Sequence, residues 1–123
     1  MIRVRAIRGA IQVTDDIPDL VMAGTRELIT EVLDRNGLSG EDVISILFTT
    51  TPDLSSAFPA AAARQLGLHD VPLMCATEIG VPGALPRVIR LMAHVESAVP
   101  RSAIRHVYLH GAAELRRDVA VPG

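Results

Sequence analysis

VPLMCATEIGVPGALPRVIRLM, residues 71–92, is the stretch whose reading decides the fold. It opens as a short apolar strand that ends at Cys75 and delivers one acid, Glu78, into a turn rich in glycine and proline. The chain then returns to apolar sequence and carries one cation, Arg90, inside Val88-Ile89-Arg90-Leu91-Met92. A carboxylate in a turn is ordinary. An arginine with two apolar residues on either side is not, because a guanidinium withdrawn from water needs an anion to offset its desolvation. Two kinds of partner meet that need: an acid of the chain, Glu78 or another, or a bound anion, which makes the position a ligand site. Residues 87–96 fit two periods. Leu85, Val88, Ile89 and Met92 recur as on a helix, whereas Ile89, Leu91, Ala93 and Val95 alternate as on a strand with Arg90 on the opposite face. Periodicity alone leaves both readings open.

Working outward, residues 2–8 alternate as a strand, with Ile2, Val4, Ala6 and Arg8 on one face and Arg3, Arg5 and Ile7 on the other. Arg8 closes its face just before Gly9, either leaving the sheet edge for water or aiming into a pocket at the strand's end. Residues 16–36 predict an amphipathic helix: Val21, Thr25, Leu28 and Val32 repeat at helical spacing, and Ile29 and Leu33 widen the stripe. Asp16 is the expected N-cap, Pro18 and Asp19 suit the first turn, and Asn36-Gly37 is the stop. Residues 39–42 form a capped turn into Val43-Ile44-Ser45-Ile46-Leu47-Phe48, a near-continuous apolar strand of the kind buried on both faces. Residues 49–53 break out into a loop. Phe58-Pro59 opens a second helix that runs to Gly67; its alanine face packs closely, and Phe58 and Arg64 are the large groups it offers outward. Beyond Pro100, residues 103–109 read as a strand carrying Tyr108, and residues 112–123 as a polar, mobile tail. With no repeat, low-complexity segment or linker, residues 1–123 read as one domain.

Composition narrows the class. Twelve cations, all arginine, against 14 acids leave nothing to attract nucleic acid. Hydrophobic residues make up 49%, more than so short a chain can cover alone, so an oligomer is expected. One cysteine excludes an intrachain disulfide and fits a reducing compartment. Arg3, Arg5 and Arg8 interrupt the first apolar stretch, and no apolar run reaches the roughly 18 residues of a membrane span, so a soluble, cytoplasmic protein without a membrane is expected. Gly9, Gly80 and Gly83 are isolated and make no phosphate loop. His69, His94, His106 and His110 are not joined by a cysteine or carboxylate cluster, so no metal site is expected. Ser55 and Ser56 lack an evident base, and Cys75 by itself reads as a small packed side chain.

Several motifs in order resemble a known family: Ile7-Arg8-Gly9-Ala10, Thr51-Pro52-Asp53-Leu54 with Phe58-Pro59-Ala60, Cys75 with Glu78, Ile89-Arg90, and Ile104-Arg105-His106-Val107-Tyr108-Leu109 followed by Leu115-Arg116. Across nearly its whole length the chain resembles the small monofunctional chorismate mutases of the trimeric α/β-barrel type. The resemblance implies an α+β fold with a β-α-β-α-β-β core: a mixed β-sheet with helices on one face, three copies closing into a pseudo-α/β barrel, and active sites between subunits. It makes residues 87–96 a strand. It places Arg90 beside the substrate's ether oxygen, Glu78 and the Cys75 region at the ring hydroxyl, and Arg8 and Tyr108 at carboxylates. Phe58 and Arg64 line the cleft from the neighbouring subunit, and Leu115 and Arg116 belong to a covering tail. Ala61 stands where the family often has a lysine, which leaves Arg64 and Arg116 to supply that cation.

The implied reaction is the [3,3] rearrangement of chorismate to prephenate, in phenylalanine and tyrosine biosynthesis. It needs no cofactor, nucleophile or proton transfer, in keeping with the absent motifs. What it needs is a flexible dianion held in a compact conformer, and a cation where negative charge gathers as the C–O bond breaks ahead of C–C formation. A trimeric imine/enamine deaminase-like enzyme and a non-catalytic small-acid-binding trimer are the rival readings, since fold alone does not assign function.

Overall fold

Residues 88–97 are a strand, and the central one. The computed structural model describes residues 1–116, and of Arg116 the backbone alone. In chain order it holds β1 (Arg3–Gln12), α1 (Pro18–Arg35), β2 (Val43–Thr50), α2 (Pro59–Gln65), β3 (Leu73–Thr77), β4 (Val88–Ser97) and β5 (Val107–Leu109). Short 3-10 turns occupy Gly40–Asp42, Arg101–Ala103 and His110–Arg116. The sheet order is β3-β2-β4-β1-β5. β4 runs antiparallel to both neighbours, while β3 joins β2 and β5 joins β1 in parallel. The architecture is the expected α+β mixed sheet, with β5 as a short strand added after the β-α-β-α-β-β run.

A central strand satisfies its backbone on both sides, and alternation then sends its side chains to two different worlds. Ile89, Leu91, Ala93 and Val95 point to the helix face and are buried with Ile7 and Ile11 of β1, Ile46 and Phe48 of β2, and Val107 of β5. Leu28, Ile29 and Val32 of α1 and Ala60 and Ala63 of α2 close the same core. α1 approaches β1 closely at Gly9. A Cβ there would sit 3.1 Å from Leu28 Cδ1, 3.2 Å from Val32 Cγ2 and 3.3 Å from Leu91 Cγ, so the hydrogen side chain is what admits the helix.

Several expected boundaries change. β1 continues past Gly9 to Gln12, and its core face is Ile7, Gly9 and Ile11, not the Ile2–Val4–Ala6 set; Ile2 and Val4 are exposed. β2 extends to Thr50, so Thr49 and Thr50 are strand residues and not loop. It is covered on one face only: Ile44 and Leu47 are exposed, because both helices lie on the other side. β3 runs over Leu73–Thr77, past Cys75. The last strand shrinks from residues 103–109 to Val107–Leu109, because residues 101–103 turn. There His106 Nδ1 accepts the Arg8 amide at 2.9 Å, a side chain taking the place of a strand carbonyl. Asp16 is not the N-cap of α1; Ile17 holds that position without a side-chain bond. Residues 112–116, read as the start of the tail, lie in the last 3-10 turn, with Ala112 fully buried.

Candidate active site

The uncovered face of the sheet carries the charged residues, and the register shows why they meet. Ala76, Thr49, Arg90, Ala10 and Tyr108 are successive partners from β3 through β2, β4 and β1 to β5, one row across the sheet. The neighbouring row sets Leu47 beside Met92 beside Arg8. Directly opposed residues hold their Cβ atoms about 5 Å apart, so both rows face one space. Ala10, with a methyl group between Arg90 and Tyr108, leaves that space open. The result is a cavity of about 230 Å³ lined by Arg8, Ala10, Leu47, Thr49, Arg90 and Tyr108, among others. Leu115 packs with Tyr108 against Ala10 and Val88 at its border.

Arg90 and Glu78 form a pair, with Nε 3.1 Å from Oε2. The pairing is partial, because Arg90 Nε is buried and lacks an acceptor in hydrogen-bond alignment. Glu78 Oε2 instead accepts a 2.7 Å hydrogen bond from Thr49 Oγ1. The Glu78 side chain is 17% exposed and that of Arg90 is 43% exposed. The flanking apolar residues of Arg90 therefore do not enclose its charge: Ile89 and Leu91 alternate away to the helix face, and the guanidinium emerges on the open one. Of the two partners the sequence allows, the chain supplies the acid, Glu78.

The segment that follows β2 anchors both members of the pair. Glu78 N donates to Thr50 O at 2.8 Å, and Thr51 N donates to Val88 O at 3.0 Å. Val88 N returns a 3.0 Å bond to Thr51 Oγ1, whose own hydroxyl donates to Asp53. Asp53 Oδ2 accepts the Arg87 amide at 3.0 Å, and Arg87 Nε reaches Val13 O at 3.1 Å. Arg87 sits at φ 54°, a left-handed conformation that arginine adopts only when surrounding bonds over-determine it. The sequence reading gives Thr49 and Asp53 no place in the site, although Asp53 belongs to the Thr51-Pro52-Asp53-Leu54 motif. Once β2 is known to continue to Thr50, period-two alternation puts Thr49 on the face of Arg90.

Other expected residues lie apart. Cys75 pairs with Phe48 in the register, so its side chain lies on the helix face, in a second cavity with Phe58, Ser55 and Ser56. Its main chain differs. Pro72 O and Glu78 N both bond toward β2, so by alternation the N–H and C=O of Cys75 face the free edge of β3. Phe58 is 73% exposed and Arg64 is exposed on α2. A third cavity, lined by Pro52, Asp53, Glu78, Ile79 and Leu85, opens on Arg90 from the turn side. The Arg116 side chain and residues 117–123 lie outside the described residues. Asp16 clamps the approach to α2: its carboxylate accepts from Ser55 N and Ser56 N at 3.1 Å each, and the Ser56 hydroxyl together with these amides holds its pKa below the usual 3.8. Among the described residues no three His, Cys, Asp or Glu side chains converge as a metal site, and no helix is long and apolar enough to cross a membrane.

Comparison with known proteins meets this geometry. The family chorismate mutase type I matches residues 4–119. A chorismate mutase AroH of Thermus thermophilus is 51% identical over 117 residues, covering 94% of this chain and 96% of that protein. The chorismate mutase AroH of Bacillus subtilis is 40% identical over 119 residues, 96% of this chain and 94% of that one. A solved chorismate mutase from Clostridium thermocellum superposes with a TM-score of 0.88 at 49% identity, covering 89% of this chain and 97% of that chain.

Proposed function

The chain belongs to the type I chorismate mutases, and on that premise we propose how its residues divide the rearrangement of chorismate to prephenate among them. The observation that carries the reading is the register row that sets Thr49, Arg90, Ala10 and Tyr108 side by side on an open face. Arg90 is the cation for the ether oxygen. Negative charge collects there only as the C–O bond breaks, so a guanidinium already in place binds the transition state better than the substrate. Glu78 accepts from the ring hydroxyl and keeps Arg90 oriented, and the edge-facing main chain of Cys75 offers that hydroxyl a further partner. Arg8 and Tyr108 hold carboxylates. Fixing the flexible dianion in its compact conformer contributes several kcal/mol more, of the ~7–11 kcal/mol that orientation can reach.

The functional unit of this reading is a homotrimer with active sites between subunits. Its support is the apolar surface the single chain leaves bare: Phe58, Met74, Ile79 and Val81 are 60–87% exposed, all on or beside the edge of β3. A neighbouring copy covering that edge brings Phe58 and Arg64 to the cleft and withdraws Arg90 from water. Leu115 and Arg116 close the cleft as part of the C-terminal segment. A single free, exposed cysteine suits a reducing compartment, which supports a cytoplasmic enzyme.

Mixing subunits tests the arrangement. Arg90→Ala and Arg64→Ala homotrimers are each expected to be strongly impaired in consuming chorismate, read as loss of its absorbance. Denatured together and refolded as random mixtures, they recover intact sites at about a quarter of the positions, because one site then takes Arg90 and Arg64 from different chains. No recovery on mixing, with trimers verified by light scattering, refutes a shared site.

A further inference from the structure

Glu78 Oε2 is approached by two groups, and they take it unequally. Thr49 Oγ1 donates to it at 2.7 Å, whereas Arg90 Nε stands 3.1 Å away out of alignment and remains a buried N–H with no acceptor. A guanidinium and a carboxylate free to adjust settle into parallel, two-bond contact, and leaving a buried donor open is costly. Something therefore restrains the carboxylate. Thr49 is placed to do so: it opposes Arg90 on one side and Ala76 on the other, and among the described residues no other side chain donates to Glu78.

We propose that Thr49 is a positioning residue, whose hydroxyl ties Glu78 down and so keeps the carboxylate from engaging Arg90 fully, leaving a side chain that is 43% exposed free to face the cavity. This rests on reading Arg90 and Glu78 as the chorismate site. The physical sense is one of reorganisation. An Arg90 fully engaged by Glu78 in the resting enzyme has to be drawn off its partner as the ether oxygen becomes negative, and that movement cancels part of what the cation contributes. With the hydroxyl bond in place, the carboxylate keeps Arg90 near without occupying its N–H donors, and the guanidinium meets the growing charge without moving.

Thr49→Val removes the hydroxyl and keeps the shape and the strand preference of the side chain. Kcat is expected to fall on the order of tenfold, the worth of a hydrogen bond to a charged group. KM should stay within about twofold, since ground-state contacts are retained. The preference for a bicyclic ether dicarboxylate that mimics the transition state, measured against prephenate by calorimetry, falls by the same factor as kcat. Thr49→Ser restores both, which a packing role of the threonine methyl would not allow. Thr49→Ala carries the same readouts should the valine variant not fold. Wild-type kcat in Thr49→Val, or a loss that serine does not recover, overturns the proposal. Arg90→Ala run in parallel separates the two levels. If it keeps wild-type kcat, the reading of the site fails and this proposal with it; if it is impaired while Thr49→Val is not, only the role of Thr49 falls.

Discussion

Truncating Arg90 to alanine separates what this side chain does for the fold from what it does for the reaction. For the fold it does little. Its side chain is 43% exposed and its one carboxylate contact among the described residues is the off-line approach to Glu78. A partly exposed pair of this kind is worth about 0.2–1 kcal/mol. Glu78 also keeps its bond from Thr49 after the truncation, so the carboxylate is not stranded. The melting temperature should therefore drop by about 4 °C or less. For the reaction the cost is larger, because removing one preorganised group facing a developing oxyanion typically costs about 3–4 kcal/mol. That corresponds to a fall in rate on the order of several hundredfold. It should appear mainly in kcat, since the charge that Arg90 answers does not exist in the bound substrate. The assay is the initial rate of chorismate consumption across a substrate series, with thermal unfolding followed in the same buffer. A kcat within about threefold of wild type, or a loss carried wholly by KM, refutes the assignment of Arg90 to the ether oxygen.

Other perturbations reach different parts of the argument. Arg116→Ala should raise KM with little change in kcat if the C-terminal segment closes over substrate, and an unchanged KM shows that it does not. Asp53→Ala removes the acceptor of both the Arg87 amide and the Thr51 hydroxyl, so it should cost about 1–2 kcal/mol in urea unfolding and speed hydrogen exchange at the Val88 amide. Gly9→Ala drives a methyl group into Leu28, Val32 and Leu91 at 3.1–3.3 Å, and should destabilise by about 1–3 kcal/mol in the same assay. Asp16 has a lowered pKa in the folded chain, so the stability it contributes is present above pH 3.8 and disappears as pH falls below that value. Asp16→Asn should accordingly flatten the acid limb of melting temperature against pH, and an unchanged limb refutes the clamp on Ser55 and Ser56.

The sequence disclosed periodic features and concealed the ones made by contact at a distance. The alternation of Ile89, Leu91, Ala93 and Val95 offered a strand, and the inward stripe of α1 was legible from Val21 to Val32 because burial imposes its period on the residues directly. Arg8 and Arg90 could be named as candidates because cations interrupt apolar runs, and Tyr108 because of the family resemblance. Thr49 and Asp53 could not, since their partners Glu78 and Arg87 lie 29 and 34 residues away and no local pattern encodes such bonds. Asp16 misled for a related reason. An aspartate before Ile17-Pro18 looks like a cap, but two open amides at Ser55 and Ser56 take its carboxylate instead. The apolar run of β2 was read as buried twice over, yet Ile44 and Leu47 are exposed; the hydrophobicity was legible, but which face the helices cover was not.

Charge balance carries the same conclusion from an independent direction. The cavity of a single chain presents two arginines, Arg8 and Arg90, and the carboxylate of Glu78 stands beside one of them. One net positive charge is left to face a substrate that carries two negative ones, and in a site sealed from water an uncompensated charge is heavily penalised. In the proposed division of roles Glu78 cannot simply be dispensed with, because the ring hydroxyl needs an acceptor and Arg90 needs a fixed direction. Among the described residues no third arginine lines the cavity, which leaves Arg64 and Arg116 as the candidates for the missing cation. Ala61 cannot supply it, and Arg64 is exposed on α2, which packs on the helix face of the sheet, opposite the face that carries Arg90. In the proposed trimer a neighbouring copy's Arg64, beside Phe58, would give the cavity its second net positive charge at the step that also covers the bare apolar surface. On that proposal, assembly and electrostatic completion of the site are one event, and the charge count and the exposed hydrophobic edge have one explanation.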